Sequence, residues 1–390
     1  MRINLLTFKQ SSLFILYILG FVFSFTVAIP AYVNSSFLKS FTSEQAVGIF
    51  YSVGSIFTLI SLILIPRILK KYGNYRVTLF LAVLYFLNFF CIAFTQNIFV
   101  VIFCLILSWS LGTAFFFNID VFIEHNSSNT KTGGIRSTYL TCVNLAWLIS
   151  PWLAGMIIGE SSYRRIYFVT ALIMLPIILI ISSNLKNFKD PEYNIFNVVK
   201  TIKSIKANKN IKDIIISGFL LQLFFSWMTV YTPIYLNEYM GFSWGTIGII
   251  FSIMLLPFVL IQIPLGFLAD KKIGEKEMLT IGFIIMGVST SIIPLIHSNN
   301  FIVWALILFM TRVGAAMVEL MNDTYFFKNV SDKNLNVINL YRTTSPLAYI
   351  ISSLITTILM LFIPMINIFY ILGLLMIFGL RYSLAIRDTK

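Results

Sequence analysis

Arg312, Glu319 and Asp323 sit in a long apolar run, spaced by seven and then four residues. On a helix that spacing lines them along one stripe. An arginine near the middle of a bilayer costs roughly 3 kcal/mol or more unless it faces a partner or water. Glu319 lies ~10 Å further along the axis at 1.5 Å per residue, so Arg312 calls for a partner on another helix, a bound anion or cavity water. Two acids one turn apart, with a fixed positive charge up the same stripe, can take up and release a proton. A second run carries a weaker version of the theme in Asn118, Asp120 and Glu124, with Asp120 aligning with Asn322 or Asp323. Inward acids at the same depth on two helices point to a proton or cation relay beneath a substrate site. The competing reading is a structural charge network with Arg136 and Arg342 as partners, and Glu124, close to the interface, fits that better.

Two mid-span amides, Asn144 and Gln222, join these as candidate cavity residues. Tyr17, Trp147, Trp227 and Tyr231 are singly weak, because aromatics make up 16% of the chain and also populate membrane interfaces. No glycine loop of the G-x-x-x-x-G-K-[ST] kind occurs, which argues against ATP coupling within the chain. There is no H-E-x-x-H, and the histidines are His125 and His297. Cys91, Cys104 and Cys142 all fall in apolar spans, so neither a disulfide framework nor a metal site is expected. A membrane-embedded enzyme is therefore the weakest functional class.

The elements that must hold these residues are membrane spans. The chain is 58% hydrophobic and 11% charged, with mean hydropathy +0.89, outside the range of soluble domains. About twelve runs are long enough to cross: 11–33, 44–66, 77–95, 98–124, 135–158, 165–184, 214–236, 244–268, 278–297, 301–327, 335–358 and 362–383. The first is too long for a cleaved signal and is expected to stay in the mature protein. With the N-terminus inside, the loops and tails hold 24 Lys and Arg on the inner side against 3 outside, with Arg312 the remaining one of 28. That asymmetry predicts cytoplasmic termini. It also disposes of the basic charge as a nucleic-acid signal, because the cations are spread over many short loops.

A polar segment, 185–213, divides the chain into 1–184 and 214–390. Asp190-Pro191-Glu192 reads as a helix start, with cap, proline and first-turn acid. Lys200, Lys203, Lys206 and Lys209 follow every three residues while Ile195, Val198, Ile202 and Ile205 keep a helical period. A basic amphipathic helix on the anionic leaflet is expected there, with a solvated linker as the alternative.

The two parts echo each other. Ile29-Pro30-Ala31-Tyr32-Val33-Asn34 returns as Thr232-Pro233-Ile234-Tyr235-Leu236-Asn237, and Asn97 to Gly112 returns as Asn299 to Gly314. Pro66-Arg67-Ile68-Leu69-Lys70-Lys71-Tyr72-Gly73 returns as Gly266-Phe267-Leu268-Ala269-Asp270-Lys271-Lys272-Ile273-Gly274. Duplicated halves in so apolar a chain point to a transporter with its site between repeats.

With these residues in view, the chain resembles the major facilitator superfamily over nearly its whole length. The stretch from Gly266 to Lys276 is close to that group's G-x-L-A-D-[RK]-x-G-[RK]-[RK] loop signature, with one extra residue. The first copy is eroded, with Pro66 and Lys70 where glycine and aspartate are usual. Ser150-Pro151-Trp152-Leu153-Ala154-Gly155 looks like a degraded antiporter motif of the fifth span. The resemblance implies an all-α polytopic protein of two six-helix bundles. It implies an inner latch in which Asp270, between Gly266 and Lys271, Gly274, meets the opposite half near Gly133, Gly134 and Arg136, with Arg342 a further gating residue.

The expected function is secondary transport by alternating access, as proton-coupled export of a small amphipathic compound. Proton-coupled uptake of a sugar or other nutrient is the alternative, and a non-transporting receptor or scaffold the alternative of another class. The expected partners are a small-molecule substrate, protons or a cation, and the lipid bilayer of the plasma membrane. No cofactor and no nucleic acid are expected, and the chain is expected to act as a monomer.

Overall fold

A segment crossing hydrocarbon has no water to satisfy its amides, and a helix pairs them internally. The computed structural model describes residues 2–126, 132–159, 162–191, 193, 208–268, 274–330 and 335–387, and every regular element among them is helical. α1 (Arg2–Ala31) passes through a short turn into α2 (Asn34–Lys39). Next come α3 (Glu44–Tyr72), α4 (Asn74–Phe94), α5 (Ile98–Asn126), α6 (Thr132–Ile158) and α7 (Arg164–Asn184). α8 (Lys209–Ile234) runs on as a π turn over Tyr235–Tyr239, and α9 (Trp244–Leu255), α10 (Pro257–Leu260), α11 (Gln262–Leu268) and α12 (Glu275–Ile292) follow. The last are α13 (Phe301–Asn329), α14 (Leu335–Arg342), α15 (Thr344–Leu359), α16 (Ile368–Phe378) and α17 (Leu380–Ala385).

Among the described residues, 10 helices are long and apolar enough to cross a membrane. The eighth and eleventh expected spans are interrupted instead, and proline supplies the reason. A proline cannot donate to the carbonyl four residues back, and its ring crowds that carbonyl. Pro257 begins α10 just past α9; Pro264 cancels the bond to Leu260, beside the break at Ile261; Pro346 cancels the bond to Arg342, where α14 stops. The all-helical architecture is consistent with twelve crossings.

Two compact units emerge, Met1–Phe41 with Val53–Ile195 and Thr42–Ser52 with Phe196–Lys390. In the first, Phe23 stacks on Phe115 at 3.9 Å and meets Phe116 edge-on at 4.9 Å. Gly73, at φ +81°, precedes α4 and has no side chain to cap it. The carboxylate of Asp190 supplies the cap: Asp190 Oδ1 accepts from the Asn74 amide at 2.6 Å and from the Tyr193 hydroxyl at 2.6 Å. This corrects the expectation that Asp190-Pro191 opens a helix: Pro191, expected at the first helical position, is non-helical, and Asp190 caps α4 instead. An uncapped helix N-terminus elsewhere in the fold outcompetes the local one for the acid. Lys200, Lys203 and Lys206, like Ile195, Val198, Ile202 and Ile205, lie outside the described residues.

In the second unit, Gly274 at φ +97° stands before α12 as Gly73 does before α4. α12 and α13 cross in direct backbone contact. A Cβ on Gly314 would fall 2.5 Å from the Met286 nitrogen and 2.7 Å from the Gly282 carbonyl, the close approach that small residues permit between membrane helices. That crossing fixes the rotation of α13. At about 100° per residue, Arg312, Glu319 and Asp323 stand roughly 140–180° round the helix from Gly314, on the face turned away from α12.

Candidate functional site

Helix α13 carries the three ionisable residues, and its neighbours decide what each meets. Arg312 is 1% exposed. Its guanidinium lies over two rings of α8, at 5.2 Å from the Phe224 centroid and 5.3 Å from Phe225, so the negative faces of the aromatics favour its charge. Glu319 is half-buried, and its Oε2 accepts from Gln262 Nε2 of α11 at 3.3 Å. It lies within electrostatic range of both Asp323 and Arg312.

One turn further along, Asp323 Oδ1 accepts from the Tyr341 hydroxyl of α14 at 2.7 Å. The same hydroxyl oxygen accepts from Asn322 Nδ2 at 2.8 Å, and the Tyr341 ring stacks on Phe326 at 4.3 Å and 16°. A cavity of about 170 Å³ opens beside these groups, bordered by Gln222 of α8, the two acids, Tyr341, Arg342 and Thr344. Two carboxylates, a phenol, an amide and a guanidinium around one small cavity can hold a proton or hydrogen-bond a polar cargo group. Among the described residues, no group of three or more His, Cys, Asp or Glu side chains could hold a metal ion.

Five of the residues singled out from the sequence therefore belong to one neighbourhood: Arg312, Glu319, Asp323, Gln222 and Arg342. The first-half candidates are placed differently. Asn118 is fully buried and donates from Nδ2 to Thr78 Oγ1 at 3.0 Å, while its carbonyl accepts from Asn74 Nδ2 at 3.0 Å. It ties α5 to the start of α4. Asp120 is half-buried on α5 and Asn144 half-buried on α6. Of the gating residues, Gly266 lies on α11 with Leu320 of α13 within van der Waals reach. Gly274 precedes Glu275, a buried acid in the first turn of α12 that pairs with Lys328 at the end of α13. Asp270 and Lys271 lie outside the described residues, as does the side chain of Arg136, whose backbone is part of α6.

Tyr341, Asn322, Gln262 and Gly218 complete the neighbourhood and were not singled out from the sequence. Gln262 carried the same signal as Gln222, a mid-span amide. Asn322 adjoins Asp323. Tyr341 had no periodic signal, because it reaches the acids from a separate helix, α14.

The chain closely matches several solved structures. The nucleoside transporter NupG superposes with a TM-score of 0.76 at 12% identity, covering 96% of this chain and 98% of that one. A POT family transporter in complex with 5-aminolevulinic acid gives 0.79 at 16% identity, with 95% of each chain covered. One in complex with a thioalcohol-conjugated peptide gives 0.76 at 15%. At such identities the likeness shows the fold alone. No curated protein matches by sequence. The sequence itself matches the Major Facilitator Superfamily over residues 13–253 and again over 214–389, an overlap expected of a chain built from two repeats. Fold and sequence agree, and the chain belongs to the Major Facilitator Superfamily.

Proposed function

We propose that this chain is a secondary transporter that moves a small molecule by alternating access, coupled to protons through Glu319 and Asp323. The observation that carries this is the acid pair bordering a cavity inside the membrane, bonded to Gln262 and Tyr341 and in reach of Arg312. Ionisable groups at that depth are costly and mark ion or proton pathways. Occupancy of the pair by a proton changes the charge that the cavity presents to cargo, and each state then favours a different conformation by its difference in interaction energy.

The direction proposed is export of a small amphipathic compound, supported by the antiporter-like run Ser150 to Gly155 on α6. Uptake is the second reading, favoured by the polar border of the cavity in Gln222, Arg342 and Thr344. The similar structures name a nucleoside transporter, 5-aminolevulinic acid and a peptide conjugate, all polar cargoes that fit the second reading. The loop from Gly266 to Gly274, with Asp270 and Lys271, is proposed as a gate with Arg136 and Arg342. The membrane is proposed to be the plasma membrane, with termini and linker cytoplasmic.

Proteoliposomes loaded with a compound panel test this. Accumulation should follow an imposed proton gradient, about tenfold per pH unit for one coupled proton. Glu319→Gln should abolish accumulation yet permit counterflow exchange of the same compound. Normal gradient-driven accumulation by Glu319→Gln would remove that acid from coupling.

A further inference from the structure

The eleventh span is cut where its chemistry begins. α14 ends at Arg342, and α15 starts at Thr344 with Pro346 in its first turn. Two hydroxyls close the cut: Thr343 Oγ1 donates to the Leu340 carbonyl at 2.7 Å and Thr344 Oγ1 to the Tyr341 carbonyl at 2.6 Å. A short arm, Leu335–Arg342, thus hangs from a built-in joint, since proline leaves the Arg342 carbonyl without its helical bond.

Tyr341 fastens that arm to α13, and its hydroxyl is committed in both directions. Asn322 donates into its oxygen, so its single proton points at Asp323. The arrangement suits an ionised Asp323. A protonated carboxyl meets the phenol as donor against donor at Oδ1, or offers a neutral acceptor roughly half as strong. Gly218 of α8 holds the ring from the other side: a Cβ there would fall 2.7 Å from Asn322 Nδ2 and 3.0 Å from the Tyr341 ring.

We infer that Tyr341 is a positioning residue that reads the charge on Asp323, holding the α14 arm while the acid is ionised and releasing it when a proton binds. The inference rests on the proton-coupled reading above. The charged groups on the described elements beside Asp323 are these. On its own helix they are Arg312, Glu319 and Lys328, the last paired with Glu275 of α12. On the arm they are Tyr341 and Arg342. α8 offers Asp213, near its start and 3.9 Å from Lys212, and α9 to α11 carry no ionisable residue. Among the described residues, Glu319 and Asp323 are the acids that share the cavity with Tyr341.

Hydrogen–deuterium exchange of the peptide spanning 335–342 tests this on the full chain, corrected for the intrinsic pH dependence of exchange. In the wild type, exchange should be at least about tenfold faster at pH 5 than at pH 8. Tyr341→Phe, which deletes one oxygen and keeps the stack on Phe326, should exchange fast at both. Asp323→Asn, fixed in the uncharged state, should do the same. Gly218→Ala provides an independent variant that keeps the hydroxyl on the side chain but displaces the ring and Asn322; it should exchange fast at both pH values, with unchanged exchange in α12 and α16 showing that each variant's second unit is folded. Equal wild-type exchange at the two pH values, or a persistent difference in Tyr341→Phe, overturns the inference. Proton-coupled transport without the exchange difference leaves the transporter reading standing and removes the arm; the exchange difference without coupled transport does the reverse.

Discussion

Replacing Arg312 separates a coupling charge from a packing charge, because two substitutions act on different parts of the side chain. The guanidinium is buried and meets two rings at 5.2 and 5.3 Å. When desolvated, each such contact contributes about 2 kcal/mol, so roughly 4 kcal/mol of ring contact depends on the charge. Opposing this is the cost of a charge at membrane depth, about 3 kcal/mol on the lower scale. Arg312→Met fills most of the same volume, loses the first term and is relieved of the second. On these two terms it should fall within about 1 kcal/mol of the wild type, with a further loss from the attraction to Glu319. Arg312→Ala has the same electrostatic balance and also leaves a cavity, at a further cost of about 2–5 kcal/mol. Denaturant unfolding in detergent should give that order of stability: wild type close to Met, and Ala well below. Counterflow in proteoliposomes should nonetheless be lost in both variants. If Arg312→Met exchanges substrate at the wild-type rate, the charge has no part in transport and Arg312 is only a packing residue against Phe224 and Phe225.

Asp190→Ala should destabilise the first unit by about 1–2 kcal/mol, the cost of an N-cap, seen as a lower thermal midpoint. The wild-type Tyr193 hydroxyl is held above the ordinary tyrosine value by burial and then by its bond and proximity to Asp190. The folded state thus binds that proton more tightly than the unfolded chain. Its stabilising contribution is complete below about pH 10, the unreacted tyrosine value, and is lost as pH rises through the raised one. Ultraviolet titration should show Tyr193 ionising at lower pH in Asp190→Ala, and no movement would mean that burial alone sets it. For topology, single cysteines at Lys189 and Ser162 should label from opposite sides of the membrane; labelling of both from outside would sink the proposed orientation.

The stripe on α13 was legible because seven-and-four spacing needs nothing beyond helical geometry to place three residues on one face. The same geometry could not choose which neighbour that face meets. The choice is made by Gly314 against Gly282 and Met286, a contact between helices joined by a short loop. Broken spans eight and eleven were hidden by hydropathy, which counts proline as one mildly polar residue in twenty and takes no account of the bond it removes. Asp190-Pro191-Glu192 had the right local letters for a helix start, yet the carboxylate serves α4, 116 residues away in sequence. Tyr341 was invisible for a related reason: its partner is 18 residues earlier, on another helix.

The repeats separate scaffold from chemistry within a single chain. An offset of 201 carries Gly73 to Gly274, the paired left-handed glycines before α4 and α12, and Tyr85 to Met286. An offset of 202 carries Asn97 to Asn299 and Gly112 to Gly314. The aligned pair meets in each unit through different atoms: a Cβ on Gly112 would fall 3.1 Å from the Tyr85 hydroxyl, and one on Gly314 would fall 2.5 Å from the Met286 backbone nitrogen. The offset of 202 also carries Arg312, Glu319 and Asp323 back to Ser110, Phe117 and Val121. The first-half helix lacks the arginine and the stripe; at that offset its acids Asp120 and Glu124 align with Asn322 and Phe326, and Asn118 is bonded into a structural link with Thr78. Both units pair these helices, so charges present in one copy alone are not needed to form the pair. Groups that cost stability in a membrane and that the twin helix folds without are the ones to test first for function, so the proton-coupled proposal stands or falls on Glu319 and Asp323.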